Sequence, residues 1–268
     1  MLRMKIILIA LLITISFPFL STEVTVAADQ QEIIVSAAIS LKNAFEEIGK
    51  LFEEKYKGVK VTFNFGASGD LVRQIEGGAP VDVFASAAQK DMDEAEKKGL
   101  IVPDSRVNFA GNSIVLITPA DSKIRIQTFQ DLGLNQVGKI AAGNPKTVPA
   151  GRYAEEVFVH FKLLPAIKEK VVYAEHVRQV LDYVARGEVD AGVVYSTDAM
   201  VRAKDIKIVA VAPDESHRPV IYPAAVVSKS DKQGLARVFV TLLATEEAGK
   251  ILERYGFKAP GKNSRQRF

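Results

Sequence analysis

The chain has 268 residues, 48% of them hydrophobic, with 35 Lys and Arg against 32 Asp and Glu for a net charge of +3. The charges are interspersed rather than blocked, which excludes an acidic tail and any recognisable nucleic-acid motif. There is no cysteine, which rules out a disulfide framework, a thiol nucleophile, a cysteine metal site and a lipid-bearing Cys behind a leader.

Residues 1–28 read as a signal peptide. Arg3 and Lys5 precede an apolar run at 6–19, and Val26-Ala27-Ala28 offers small residues for cleavage near Ala28. The run is about 14 residues, short of the roughly 20 that span a bilayer. The expected product is an exported, periplasmic chain beginning at Asp29, with a net charge of +2 once Arg3, Lys5 and Glu23 are removed. It is long enough for two lobes. The basic run at 262–267 reads as a frayed terminus.

A buried strand at 32–38 ends at Ile39-Ser40, and Leu41, Ala44, Phe45, Ile48, Leu51 and Phe52 continue at helical spacing. A second strand, alternating through Val59, Val61, Phe63 and Phe65, turns through Gly66-Ala67-Ser68-Gly69 into a helix carried by Leu71, Val72 and Ile75. Ser40 and Ser68 thus both stand where a strand gives way to a helix, positions at which a hydroxyl caps the helix or faces a ligand. A short strand at 81–85 and a helix at 89–98 follow. A strong strand at 113–118, a short helix at 128–132 and a strand at 139–143 come next.

Pro149 fits the first turn of a helix striped by Ala154, Val157, Phe158 and Phe161, leaving the amides of Ala150 and Gly151 open. A strand at 171–173 leads through Glu175-His176 to a helix whose first amide is that of Val177. A strand at 191–195 places Tyr195 at its end, with a helix from Ser196. Strands at 206–212 and 221–227 flank a polar loop at 213–219, and two helices finish the chain. Strands and helices alternate throughout, the pattern of an α/β layered fold.

Five strand-end positions, Ser40, Ser68, Ala150, Val177 and Tyr195, fall where ligands gather in open α/β sheets. All offer hydrogen-bond donors and none carries charge. Such a set suits a deprotonated oxyanion, helped by helix N-termini of about +0.5 charge each. Catalytic signals are weaker. Gly66-Ala67-Ser68-Gly69 lacks the spacing of a nucleophile elbow, and His160, His176 and His217 show no metal or relay spacing. A secreted serine hydrolase using Ser68 with His176 is the alternative of another class.

Ala37-Ala38-Ile39-Ser40-Leu41-Lys42-Asn43-Ala44, Arg73 to Pro80, Gly111-Asn112-Ser113, Val148-Pro149-Ala150-Gly151-Arg152-Tyr153-Ala154, Gly192 to Ala199 and Tyr255-Gly256-Phe257 together resemble the periplasmic molybdate-binding proteins of ABC transporters. These are type II substrate-binding proteins, and the resemblance spans nearly the whole mature chain. It implies two lobes, each a mostly parallel sheet flanked by helices, with lobe I at 29–111 and 216–268 and lobe II at 112–215. It further implies that molybdate or tungstate is held as a tetrahedral dianion in the interlobe cleft by Ser40, Ser68, Ala150, Val177 and Tyr195, without direct metal ligands or a cofactor. The implied partner is a membrane permease, and the receptor is expected to be a monomer and not an enzyme. A receptor for sulfate or another oxyanion on the same fold is the alternative. Two departures stand out: Asp70 follows Ser68, where it is expected on the outer side of its helix, and His176 stands where an acidic residue is familiar.

Overall fold

The computed structural model describes residues 31–260; the leader at 1–28 and the basic run at 262–267 lie outside the described residues. The chain opens with β1 (Gln31–Ala38), a 3-10 turn (Ile39–Leu41) and α1 (Lys42–Lys55). It continues through β2 (Val59–Gly66), α2 (Ser68–Glu76), β3 (Val83–Ala85), α3 (Gln89–Lys97) and β4 (Val107–Gly111). Then come β5 (Ile114–Pro119), β6 (Ile140–Gly143), α4 (Pro149–His160), the short α5 (Leu164–Ile167), β7 (Val171–Ala174), α6 (Val177–Ala185), β8 (Ala191–Tyr195), α7 (Ser196–Val201) and β9 (Ile206–Val211). The last elements are β10 (Ile221–Val226), α8 (Gln233–Leu243) and α9 (Glu246–Arg254).

Two five-stranded sheets result, ordered β2-β1-β3-β10-β4 and β7-β6-β8-β5-β9. The pairs of β1 with β2 and β3, and of β6 with β7 and β8, are parallel. Every antiparallel pair contains β5 or β10, the strands entered directly after the chain passes from one sheet to the other. The two passages lie at 112–113 and 212–220. At the first, Gly111 exchanges two backbone hydrogen bonds with Lys258, at 2.7 and 2.9 Å, so the end of the described chain braces that passage.

Local patterns explain the packing. Ala44, Phe45, Ile48 and Phe52 of α1 are buried at the spacing of one helix face. Phe45 meets Phe63, Phe109 and Phe239 with ring centroids 5.7–6.2 Å apart. Burying each such ring contributes about 1.5–3 kcal/mol. All five residues of β8 are buried, as expected for a central strand covered on both faces.

Some elements differ from the sequence reading. The 128–132 segment is a 3-10 turn at Gln130–Gly133, because the Asp131 carboxylate accepts from the amides of Gln127 and Thr128 at 2.8 and 2.9 Å and draws the backbone into a tight turn. The four-residue α5 escaped notice, being too short to show periodicity.

Candidate functional site

The parallel registers bring the strand ends together. Ala38 pairs with Gly66 and Gly143 with Ala174, so in each sheet two strands finish side by side. Ser40, Ser68, Ala150, Val177 and Tyr195 all line one cavity, together with Ala38, Ile39, Gly66, Ala67, Ala87, Val148 and Pro149. None of these residues is charged. The five are at most 3% exposed, and the cavity has a volume of about 10 Å³, room for about one water-sized sphere. A larger solute does not fit the cavity as it stands.

Each of the five donors has a structural origin. Ser68 does not cap α2: the N-cap is Ala67, without a side-chain bond. Instead Ser68 Oγ accepts from the Ala87 amide at 3.1 Å, which leaves its own O–H to donate elsewhere. Ser40 lies in the 3-10 turn, makes no cap bond, and meets Tyr222 Oη at 3.1 Å. Ala150 and Val177 are the second residue of α4 and the first of α6. Their amides face no carbonyl of their own helices and find no acceptor among the described residues. Packing holds α4 in place: a Cβ on Gly151 would lie 2.0 Å from the Gly143 carbonyl oxygen, so only glycine lets the helix start this close to the end of β6. Tyr195 donates to the Ala87 carbonyl at 3.1 Å, so its phenol must turn to serve a solute. Burial pushes the Tyr195 and Tyr222 phenols far above their ordinary range, and both are neutral donors.

The two departures resolve simply. Asp70 pairs with Arg73 on the outer face of α2. His176 is the N-cap of α6, its Nδ1 accepting from the Gln179 amide at 3.1 Å; burial lowers its pKa and favours the neutral ring this bond requires. Ser68 and His176 each spend their bonds on backbone amides rather than on one another. Among the described residues, no group of three or more His, Cys, Asp or Glu is placed to hold a metal ion.

Around the cavity, several contacts join the two sides. The Gly69 amide donates to the Thr147 carbonyl at 3.0 Å, and a Cβ on Gly69 would come within 2.9 Å of Thr147. Arg178 of α6 donates to Asn43 of α1 at 3.0 Å and pairs with the fully buried Asp198. Asp91 of α3 and Arg152 of α4 form a buried ion pair. Burial raises the Asp91 pKa to about 6 despite the attraction of Arg152. Sequence reasoning missed Asp91, Ala87 and Tyr222. Arg152 and Asn112 stood inside quoted motifs without a role.

A family model for bacterial extracellular solute-binding proteins matches residues 33–258. The molybdate-binding protein ModA of Escherichia coli (strain K12) is 40% identical over 234 residues, 86% of this chain and 90% of that one. YvgL of Bacillus subtilis (strain 168), provisionally assigned as an ABC transporter substrate-binding lipoprotein, is 39% identical over 227 residues, 85% of this chain and 86% of that one. Among solved structures, the periplasmic molybdate-binding protein of Azotobacter vinelandii superposes with a TM-score of 0.76 at 26% identity, covering 85% of this chain and 100% of that one. The chain belongs to the bacterial extracellular solute-binding proteins, and within them to the molybdate-binding protein family.

Proposed function

We propose that this protein is an extracytoplasmic receptor that takes up molybdate, and tungstate, as a tetrahedral dianion and hands it to the permease of an ABC transporter. The Ser40 and Ser68 hydroxyls, the Ala150 and Val177 amides and the Tyr195 phenol bind the oxygens. Lobe I comprises 29–111 and 216–268 and lobe II 112–215; the exported monomer closes them over the ion. One observation carries this reading: a cavity lined by uncharged groups, with two helix-start amides that have no acceptor among the described residues and a serine hydroxyl free to donate. Such donors return on the order of 1.5–3 kcal/mol each against a charged acceptor, and the helix dipoles offset the guest's charge. The relatives' molybdate binding supports the choice of ion.

Thermal unfolding tests the proposal. A ligand that binds only the folded state raises the melting temperature by mass action. Molybdate and tungstate should each produce a large rise at micromolar concentration, and sulfate a smaller one. No shift with either metal oxyanion at millimolar concentration would end the reading; a larger shift with sulfate would replace the ligand and keep the fold.

A further inference from the structure

The hydrogen bonds behind Ser40 run in one direction, and the direction is set at the passage between the sheets. Asn112 Oδ1 accepts from the Ser113 amide at 2.8 Å and from Ser196 Oγ at 2.9 Å. A backbone amide can only donate, so the side-chain amide of Asn112 has one orientation. Its Nδ2 therefore faces Thr197 Oγ1 at 2.9 Å and Tyr222 Oη at 3.1 Å and donates to both. Tyr222 is fully buried, and its oxygen already accepts from Asn112. Among the described residues its own O–H has one remaining neighbour, Ser40 Oγ at 3.1 Å. Ser40 is then the acceptor of that bond, and its proton is left for the cavity.

We propose that Asn112 and Tyr222 are positioning residues that lock the Ser40 hydroxyl as a donor, so that the site admits fully deprotonated oxyanions and rejects those that carry a proton. The inference rests on the oxyanion reading above and deepens it. A proton-bearing oxygen, as in hydrogen phosphate or hydrogen arsenate, needs an acceptor. Ser68 is held as a donor in the same way by the Ala87 amide. Each serine oxygen then spends one of its two lone pairs on a protein donor and turns its own hydrogen to the cavity, so a proton-bearing oxygen must compete for the remaining lone pair while facing that hydrogen. The relay also ties specificity to the inter-sheet passage. Asn112 lies in the first crossing, its partners Ser196 and Thr197 begin α7, and Tyr222 lies on β10 with Phe257 packed edge-on at 5.3 Å.

The test is a double-mutant cycle by calorimetric titration at pH 8 with molybdate, on wild type, Tyr222→Phe, Ser40→Ala and the double variant. Tyr222→Phe leaves the Ser40 O–H in place but takes away the bond that aims it, and should weaken molybdate binding about threefold to tenfold. In the Ser40→Ala background the same change should cost less than about twofold, because its effect passes through Ser40. Displacement of molybdate by sulfate and by hydrogen phosphate, dianions differing by one proton, supplies the readout that a general loosening would not move. Tyr222→Phe frees Ser40 Oγ to accept, and phosphate should gain on sulfate by about tenfold. Should Tyr222→Phe fail to fold, the uncharged Asn112→Leu serves: it removes the donor facing Tyr222 and lets that oxygen accept from Ser40, and its cost should also shrink to under about twofold in Ser40→Ala. Losses that multiply in the double variants, or an unchanged phosphate-to-sulfate ratio, overturn this inference alone. Wild type that binds neither molybdate nor tungstate overturns the receptor reading and this one with it.

Discussion

Asp91 and Arg152 are 2% and 7% exposed, nearly as dry as Ser40 and Ser68 in the adjoining cavity, yet the two places handle charge in opposite ways. The Asp91–Arg152 seam between α3 and α4 sets two opposite charges against each other where the two sides of the cavity meet. The cavity has none of its own and offers dipoles instead. Each member of the pair is the other's countercharge whenever the two sides meet, and both return to water if the sides part. A pocket that must also stand without its guest has no such partner: a Lys or Arg buried there would be unpaired whenever the guest left, at a cost of several kcal/mol. Neutral hydroxyls and amides lose far less when their acceptor departs. Charge is thus kept where the protein supplies its own partner, and polarity where the partner is a guest.

Breaking the seam is the largest perturbation. Arg152→Ala leaves the Asp91 carboxylate buried and unpaired and should destabilise the protein by about 3–5 kcal/mol, read from denaturant unfolding. Adding Asp91→Leu to it should recover most of that loss, since the unpaired charge and not the missing attraction dominates. A loss under about 1 kcal/mol in the single variant would show that the seam opens to water without consequence.

Titration gives the next largest effect. The Asp91 pKa stands at about 6 in the folded protein against 3.8 ordinarily, so between those values the folded state binds the proton that the unfolded state releases. Its contribution to stability is greatest below about pH 4, declines as pH rises to 6 and is level above. The stability of wild type relative to Asp91→Asn, which cannot titrate, should therefore fall by up to about 3 kcal/mol over that interval. A difference that grew with pH would mean that attraction to Arg152 outweighs burial.

Within the cavity, Ser68→Ala should cost about 1.5–3 kcal/mol of molybdate affinity and Tyr195→Phe less, under about 1 kcal/mol. Ser68 adds a bond when an anion binds, whereas Tyr195 must give up the Ala87 carbonyl to make one; an exchanged hydrogen bond contributes little net free energy. Calorimetric titration of both variants checks the order, and equal losses would mean that Tyr195 keeps the Ala87 bond and donates to the ion as well.

The convergence of Ser40, Ser68, Ala150, Val177 and Tyr195 on one cavity was legible because each stands at the end of a strand, where alternating hydrophobicity gives way to a helix. Register then did the rest, with Ala38 beside Gly66 and Gly143 beside Ala174. What these groups bond to was not legible. Ser68 has the local look of a cap, but its oxygen goes to Ala87, 19 residues on, and the Gly69 amide goes to Thr147: tertiary partners outcompeted the local one. Tyr222 sits inside an apolar run like any core residue, and its role needs Ser40, 182 residues away. Asp91 belongs to a helix rich in exposed charge, and nothing in that pattern marks the one carboxylate that faces Arg152.

The smallest expected effect concerns Asp70, the one carboxylate in the first turn of α2. Asp70→Asn removes a negative charge that opposes an approaching dianion. It also removes the favourable pairing of that charge with the helix start and with Arg73. Both interactions are partly exposed and run through water, so they are weak and offset each other. Molybdate affinity should tighten by no more than about threefold, roughly 0.6 kcal/mol, at about 0.02 M salt. The gain should disappear near 0.5 M, where the screening length drops to about 4 Å. A tenfold gain that survives high salt would put the Asp70 carboxylate at the cavity itself, and the separation between a neutral pocket and its charged surroundings would fail there.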